Sequence, residues 1–440
     1  MPIGGGYFTM QNKVLPGAYI NFVSSGGGIT AGDRGIAALG LELDWGEENK
    51  IIIMEASEFN KAAQATLGYD VTAPELLLVR ECMKRAKTLL LYRVNSGGQK
   101  ATATIGGIAV TARHTGTRGN ALQVAILVNA DDDSTFDVVT FLDRVQVDSQ
   151  TVTSAAELRQ NDFVTFGAGT LTSAAATPLA GGTNGSVTGA SHTAFLNAVE
   201  VETFNVIGYC GTDEAVKALY KAFTIRLIED EGKKITCVLS ELAADHEGII
   251  NIKNGVKLAD GTVVPKEHAV AWVTGATAAA AINESLTNAA YDDAVDVDQK
   301  YTKGQYEAAI NAGEFAFYAD AGKARVLADI NSLTTFGGGK TSDWTSNRVI
   351  RVLNNWANDV ARIFGERYSG SETNDAIGRD LFKADLVSLA LQYQGIRAIA
   401  GFVPDDITIE QGTGKRDVAA AVKLMPQDAM EKLYMIVTVI

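Results

Sequence analysis

The stretch FNVIGYCGTDEAVKALYKAFTIRLIEDEGKKITCVLS, Phe204–Ser240, decides the fold. Its ends, FNVIGYC and ITCVLS, are continuous apolar runs of the kind a strand shows when both faces are buried. Between them lies an amphipathic helical segment. Strand, helix and strand in that order read as a parallel crossover unit, so the stretch predicts a layered α/β domain.

The same alternation extends toward the N-terminus. IAALGLEL (Ile36–Leu43) and IIIM read as strands, and a helix is expected near Glu58–Leu67. Pro74 fits the first position of a second helix carrying ELLLVRECMKRAK, and the strand LLLYRVN follows. After Asn95 the texture changes. Residues 96–188 are dense in Thr, Val, Ala and Gly, with short alternating runs such as ALQVAILV and TFDVVTFL. Short strands between turn signals predict a small β barrel or sandwich, inserted in the α/β domain that resumes after it. Toward the C-terminus, long helices are expected around Trp344–Glu366 and Asn374–Gln394. Val349, Val352, Leu353, Trp356, Val360 and Ile363 form one stripe of the first. The strands DITIEQG and RDVAAAVKLM follow.

The expected organisation is therefore α/β (α+β) and multidomain. It comprises an N-terminal extended arm (1–25), a central α/β domain (26–95 and 189–342), an inserted β domain (96–188), a C-terminal α+β domain (343–427) and a C-terminal strand arm (428–440). At 440 residues the chain exceeds what one core organises, and with 46% hydrophobic residues it has ample material to bury. The net charge of −14 and dispersed Lys and Arg argue against nucleic acid as a partner. No basic start followed by an apolar core opens the sequence, and no run is long enough for a membrane span. Cys82, Cys210 and Cys237 stand far apart in apolar contexts, and are expected as small buried hydrophobes in a reducing cytosol.

Motifs that carry chemistry fail on particular residues. GGGKT, Gly337–Thr341, resembles the end of a phosphate-binding loop, but Thr334 occupies the place of the required Gly, so a flexible loop is expected. Gly26, Gly28 and Ala31 have dinucleotide-fingerprint spacing, yet a strand follows where a helix must hold the pyrophosphate. Asp296, Asp298 and Glu307 take calcium-loop positions, but Lys300 falls on a ligand position and Tyr301 on the one that needs Gly; a solvated acidic loop is expected. Of His114, His192, His246 and His268, none joins a metal motif. His246 in AADHEG is a candidate general base, read instead as a surface histidine in a loop. No catalytic residue, metal or cofactor is assigned.

The last ten residues, EKLYMIVTVI, have strand composition, where chain ends are usually polar and frayed. Leu433, Met435, Val437 and Val439 lie on one face, and Tyr434, Ile436 and Ile440 make the other apolar too. A strand that only covered its own domain would show one polar face. Such a segment reads as a sheet edge that expects a partner. Near the other end, Ala18–Val23 in PGAYINF alternates as a strand would after the turn residues Pro16 and Gly17.

The chain resembles the tail sheath proteins of contractile-tailed bacteriophages and phage-tail-like bacteriocins. The resemblance rests on PGAYINF, on AINAGEFAFYADAGKARVLADINSLTTF, on NRVIRVLNNWANDVARIFGERYSG and on AVKLMPQDAMEKLYMIVTVI, and on their order. It implies a helical homopolymer around an inner tail tube protein, working with baseplate and tail terminator proteins and without direct membrane insertion, in a virion tail or tail-like particle assembled in the host cytoplasm. It further implies arms exchanged between subunits: Ala18, Tyr19, Ile20, Asn21, Phe22 and Val23 at one end, and Leu433, Tyr434, Met435, Ile436, Val437, Thr438 and Val439 at the other. Pro16, Gly17 and Pro426 would be hinges, and Lys415, Arg416 and Lys423 are candidates to face an acidic tube. An α/β enzyme of hydrolase type with a β insertion, and a different strand-exchanging shell protein, stay open as alternatives.

Overall fold

The structure, a computed structural model of the chain, describes residues 4–5, 17–18, 31–32 and 34–439. Pro16, Tyr19, Ile20, Asn21, Phe22, Val23, the glycine cluster over 24–30 and Ile440 lie outside the described residues. Gly17 and Ala18 pair in parallel with Gly4 and Gly5. The chain forms two compact units, one of Asp33–Asn358 with Pro426–Ile440, the other of Asp359–Met425 with the residues up to Gly32.

The larger unit is built on a seven-stranded sheet. Its strands run in the spatial order Glu314–Phe315, Ile249–Ile252, Thr236–Ser240, Val206–Gly208, Ile36–Leu41, Thr88–Arg93 and Ile51–Glu55. All neighbours are parallel except the edge strand Ile51–Glu55. The crossover read from Phe204–Ser240 is present: Val206–Gly208 and Thr236–Ser240 pair in parallel, joined by the helix Glu214–Glu229. Asp213 starts that helix by accepting hydrogen bonds from the backbone N–H groups of Ala215 and Val216.

Helices cover both faces, as a parallel sheet requires. On one side Lys266–Ala279 and Leu77–Met83 pack Trp272, Val270 and Cys82 against Leu39, Leu89 and Leu91. On the other, Gly189–Glu200 and Glu214–Glu229 set Phe195, Tyr220 and Leu227 against Ala38, Ile207 and Leu239. Pro74 does sit at the start of a helical turn, Pro74–Leu76, that leads into Leu77–Met83. Cys82 and Cys237 are buried and Cys210 half-buried; burial pushes the thiols of Cys210 and Cys237 up to about 12.

The inserted segment forms two separate sheets. One orders Val145–Val152, Phe136–Leu142, Leu122–Val128 and Ala174–Pro178; the other orders Val164–Phe166, Ile108–Thr115 and Lys100–Ile105. Ile105, Ile108, Val110, Val124, Ile126 and Val138 fill one core there. The arrangement is a sandwich, not a closed barrel. Trp45 completes this core, 1% exposed, with the His114 ring 5.0 Å away and edge-on. The buried Arg93, from the central sheet, donates through Nη1 to the carbonyls of Gly46 and Thr115. Beside it Gly116 adopts a φ of 123°, and a Cβ there would come within 1.9 Å of the Asp44 carbonyl oxygen. Only glycine permits that approach.

In the smaller unit the helix Ala376–Gly395 carries the strand Ile407–Gln411, which pairs antiparallel with Val418–Val422. The helix expected from Trp344 begins at Asn347 and runs to Ile363, after a short turn over Ser342–Thr345.

Candidate assembly surfaces

The Ile407–Gln411 and Val418–Val422 strands form a sheet of two strands only. Each therefore keeps an outer edge of backbone N–H and C=O groups with no ladder partner among the described residues, and a two-stranded hairpin is marginal by itself. Ile407 is buried, while Ala419, Ala420 and Ala421 are exposed. Small side chains along an open edge leave room for another backbone to approach.

The turn of this hairpin is held from below. Asn374 donates through its side chain to the carbonyls of Lys415 and Asp417, at 3.1 and 2.9 Å, and also accepts from Arg379 Nη1 at 2.9 Å. Arg379, Lys415 and Arg416 thereby come to the rim of a cavity of about 440 Å³ whose walls include Phe364, Tyr368 and Phe382. Tyr368 donates to Asp385 at 2.6 Å, and burial with that carboxylate raises its phenol pKa. Two of the three candidate tube-facing residues are brought together here. Lys423 lies beyond the other end of its strand, where its backbone N–H donates to the Asp406 carbonyl.

The segment after Pro426 belongs to the larger unit. Ser346 Oγ donates to Asp428 at 3.1 Å, and Thr287 Oγ1 donates to Glu431 at 2.7 Å. Beyond Glu431 the side chains lose their cover: Leu433 is 84% exposed, Tyr434 89%, Ile436 95% and Val439 92%. Met435, Val437 and Thr438 are exposed as well. The strand expected here is not formed within this chain: residues 433–439 pair with no other strand among the described residues.

The rejected chemical motifs end in ordinary contacts. Lys340 of GGGKT ion-pairs with Glu247 at 2.8 Å. Asp296 lies on the strand Ala294–Val297, not in the loop expected for it, and pairs with Lys300 at 3.0 Å. The reading of His246 as a surface residue is corrected: it is 7% exposed, and its Nδ1 accepts from the Gly248 backbone N–H at 2.9 Å. Ser332, distant in sequence, closes over it, donating to its carbonyl, and the Glu247 side chain beside it is itself largely buried against Lys340. Asp245 accepts from the backbone N–H groups of Thr334 and Thr335, which hold its carboxyl well below the usual range. Among the described residues no cluster of His, Cys, Asp or Glu has metal-site geometry.

The sequence reading missed a buried polar cluster that anchors the helix starting at Asn347. Asp329 accepts from Asn347 Nδ2 and from the Leu286 backbone N–H, each at 2.9 Å, and pairs with buried Arg351 at 3.4 Å. Nothing local marks these residues, since the partners come from three separated segments.

Comparison with known proteins accounts for these features together. Residues 34–94 match the tail sheath protein Gp18 domain III N-terminal region, 96–184 the phage tail sheath protein beta-sandwich domain, 185–332 the phage tail sheath protein central domain, and 339–440 the phage tail sheath C-terminal domain. The crystal structure of the sheath tail protein from Desulfitobacterium hafniense is 45% identical, with a TM-score of 0.85 over 94% of this chain and 98% of that one. The phage-like element PBSX protein XkdK of Bacillus subtilis (strain 168) is 35% identical over 98% of each chain. The helical sheath of the anti-feeding prophage in its contracted state shares the fold at 12% identity, with a TM-score of 0.57 over 97% of this chain. The chain belongs to the phage tail sheath protein family.

Proposed function

We propose that this chain is the structural subunit of a contractile sheath, polymerising into a helical tube around an inner tail tube and linked to its neighbours by exchanged strands. The observation that carries this reading is the pairing of two incomplete parts in one molecule. Residues 433–439 are exposed and apolar on both faces, and the hairpin of Ile407–Gln411 and Val418–Val422 has two open edges. A repeating contact that does not close on itself builds a filament, and added strands supply directional main-chain bonds. At about 1 kcal/mol net per hydrogen bond, a six-residue arm contributes about 5 kcal/mol before side-chain burial.

The domains act in this scheme as follows. The sandwich lies outward, the C-terminal α+β part forms the layer nearest the tube, and Pro16, Gly17 and Pro426 flex so that the strand links survive while the bodies move. Pro426 stands where the chain passes between its two compact units, which suits a hinge. Lys415 and Arg416, at the rim of one cavity, are better placed for a shared acidic partner than Lys423. Contraction uses no nucleotide: the extended tube is kinetically trapped and the contracted one gains contact between subunits. Baseplate and terminator proteins start and stop the process. No catalytic role is assigned: Lys340 is held by Glu247, and Nδ1 of the buried His246 accepts from Gly248.

Deleting Leu433–Ile440 tests the reading. The truncated chain is expected to remain a folded monomer and to form no tubes by negative-stain microscopy. Tubes of ordinary length from the truncated chain would refute strand exchange through this end.

A further inference from the structure

Shortly ahead of the central sheet, Ala31 and Gly32 belong to the smaller unit and are held there by side chains of two helices. The Gly32 backbone N–H donates to Asp359 Oδ1 at 2.8 Å, and the Ala31 N–H to Gln392 Oε1 at 3.3 Å. Asp359 is 3% exposed. Its other carboxylate oxygen accepts from the Tyr393 hydroxyl at 2.8 Å, so the acceptor is fixed in place before the chain reaches it. A Cβ at position 32 would lie 2.7 Å from Asp359 Oδ1, so a side chain there would push the carboxylate aside.

Two residues on, the chain is fastened again. Arg34 donates to Asn355 Oδ1 at 2.6 Å and to the carbonyls of Ala280 and Thr277 at 3.1 and 3.0 Å. Asn355 and Asp359 are four apart in the helix Asn347–Ile363, one turn of the same face. A backbone amide in a glycine-rich connection thus shares a buried carboxylate with Tyr393 and with Arg362, whose Nη2 lies 3.4 Å from the same Oδ1. A hydrogen bond to a charged acceptor is about twice as strong as a neutral one, which makes Asp359 a suitable fixed point.

We infer that Asp359 is a positioning residue for strand exchange, fixing the root of the N-terminal arm at Gly32 so that the residues before Ala31 leave the subunit in one direction. The inference rests on the arm-exchange reading above. An arm that must reach a neighbour gains effective concentration when its root is fixed and loses it when the root can swing.

The full-length chain tests this through Gly32→Ala, Asp359→Ala, Asp359→Asn and Tyr393→Phe, each assayed for tubes by negative stain and, as monomer, for thermal midpoint and for amide exchange in the peptide spanning 31–36. Loss of one charge-assisted bond predicts a fall in tube yield of about tenfold or more for Gly32→Ala and Asp359→Ala. Faster exchange at 31–36 should accompany it, with the monomer midpoint of Gly32→Ala lowered less than that of Asp359→Ala, which also loses the Tyr393 and Arg362 bonds. Asp359→Asn, which keeps a carbonyl acceptor, should recover part of the yield. Tyr393→Phe, which removes one support of the carboxylate and leaves the Gly32 bond possible, should lose less yield than Asp359→Ala. Parental tube yield from Gly32→Ala overturns the inference, as does a loss in Tyr393→Phe equal to that in Asp359→Ala, which would mean that Asp359 acts through helix packing. A chain lacking residues 1–30 separates the two readings. If it makes normal tubes, the arm-exchange reading fails at this end; if it makes none while Gly32→Ala makes normal tubes, only the role of Asp359 fails.

Discussion

Two strongly apolar stretches of this chain meet opposite fates. TLLLYR, Thr88–Arg93, lies within the central sheet with Leu89 and Leu91 fully buried, whereas LYMIVTV, Leu433–Val439, leaves Ile436 95% exposed. Each is apolar on both faces. What differs is cover: the first has strands on both edges and helices above and below, while the second is exposed and follows a segment held by side-chain bonds at Asp428 and Glu431. Apolar faces on a strand report that it will be covered, without saying by which molecule.

Matched substitutions can break that comparison. Leu91→Asp places a charge in the core, which costs about 4 kcal/mol or more, and the monomer should unfold or melt far below the parent. Ile436→Asp changes an exposed position, so the monomer's urea midpoint should stay within about 0.5 kcal/mol of the parent while tubes disappear from negative-stain fields. If Ile436→Asp destabilises the monomer as Leu91→Asp does, the tail is part of its own core and the contrast is void.

The junction of sandwich and central sheet sharpens the contrast at lower amplitude. Gly116→Ala sets a side chain against the Asp44 carbonyl at a φ of 123°, and should cost about 1–3 kcal/mol in chemical denaturation. A smaller effect is expected from His114 beside Trp45. Burial lowers its pKa from 6.5 to about 4. As pH falls below 6.5 the unfolded chain takes up a proton that the folded chain refuses, so stability present above that pH is lost progressively toward 4. Denaturation midpoints between those limits should fall with pH less steeply in His114→Gln than in the parent.

Local pattern explains how much of this was readable in advance. The crossover of Val206–Gly208, Glu214–Glu229 and Thr236–Ser240 was legible because a doubly buried strand must be apolar throughout, and Pro74 marked a helix start because it has no N–H to lose. Whether the inserted strands close into a barrel was not, since closure depends on register between strands far apart. His246 was misjudged because acidic neighbours in sequence suggest solvent, and its cover comes from Ser332. Asp329, Arg351 and Asp359 carried no signal either. Their partners are set by tertiary approach, and a lone charged residue in a helix pattern reads as surface until the acceptor or donor arrives. At the candidate assembly surfaces, the tail stood out by composition. The hairpin with its alanine edge was legible as two strands but not as a sheet left two strands wide.

That narrow hairpin has a consequence for growth. Under the proposed linkage each subunit both offers a segment and receives one, so the two ends of any filament are chemically unlike. One terminal ring displays hairpins still waiting to be filled, and the opposite ring displays apolar segments with nowhere to dock. Elongation at the two ends would therefore proceed at different rates, and a protein that seals one end could have no affinity for the other.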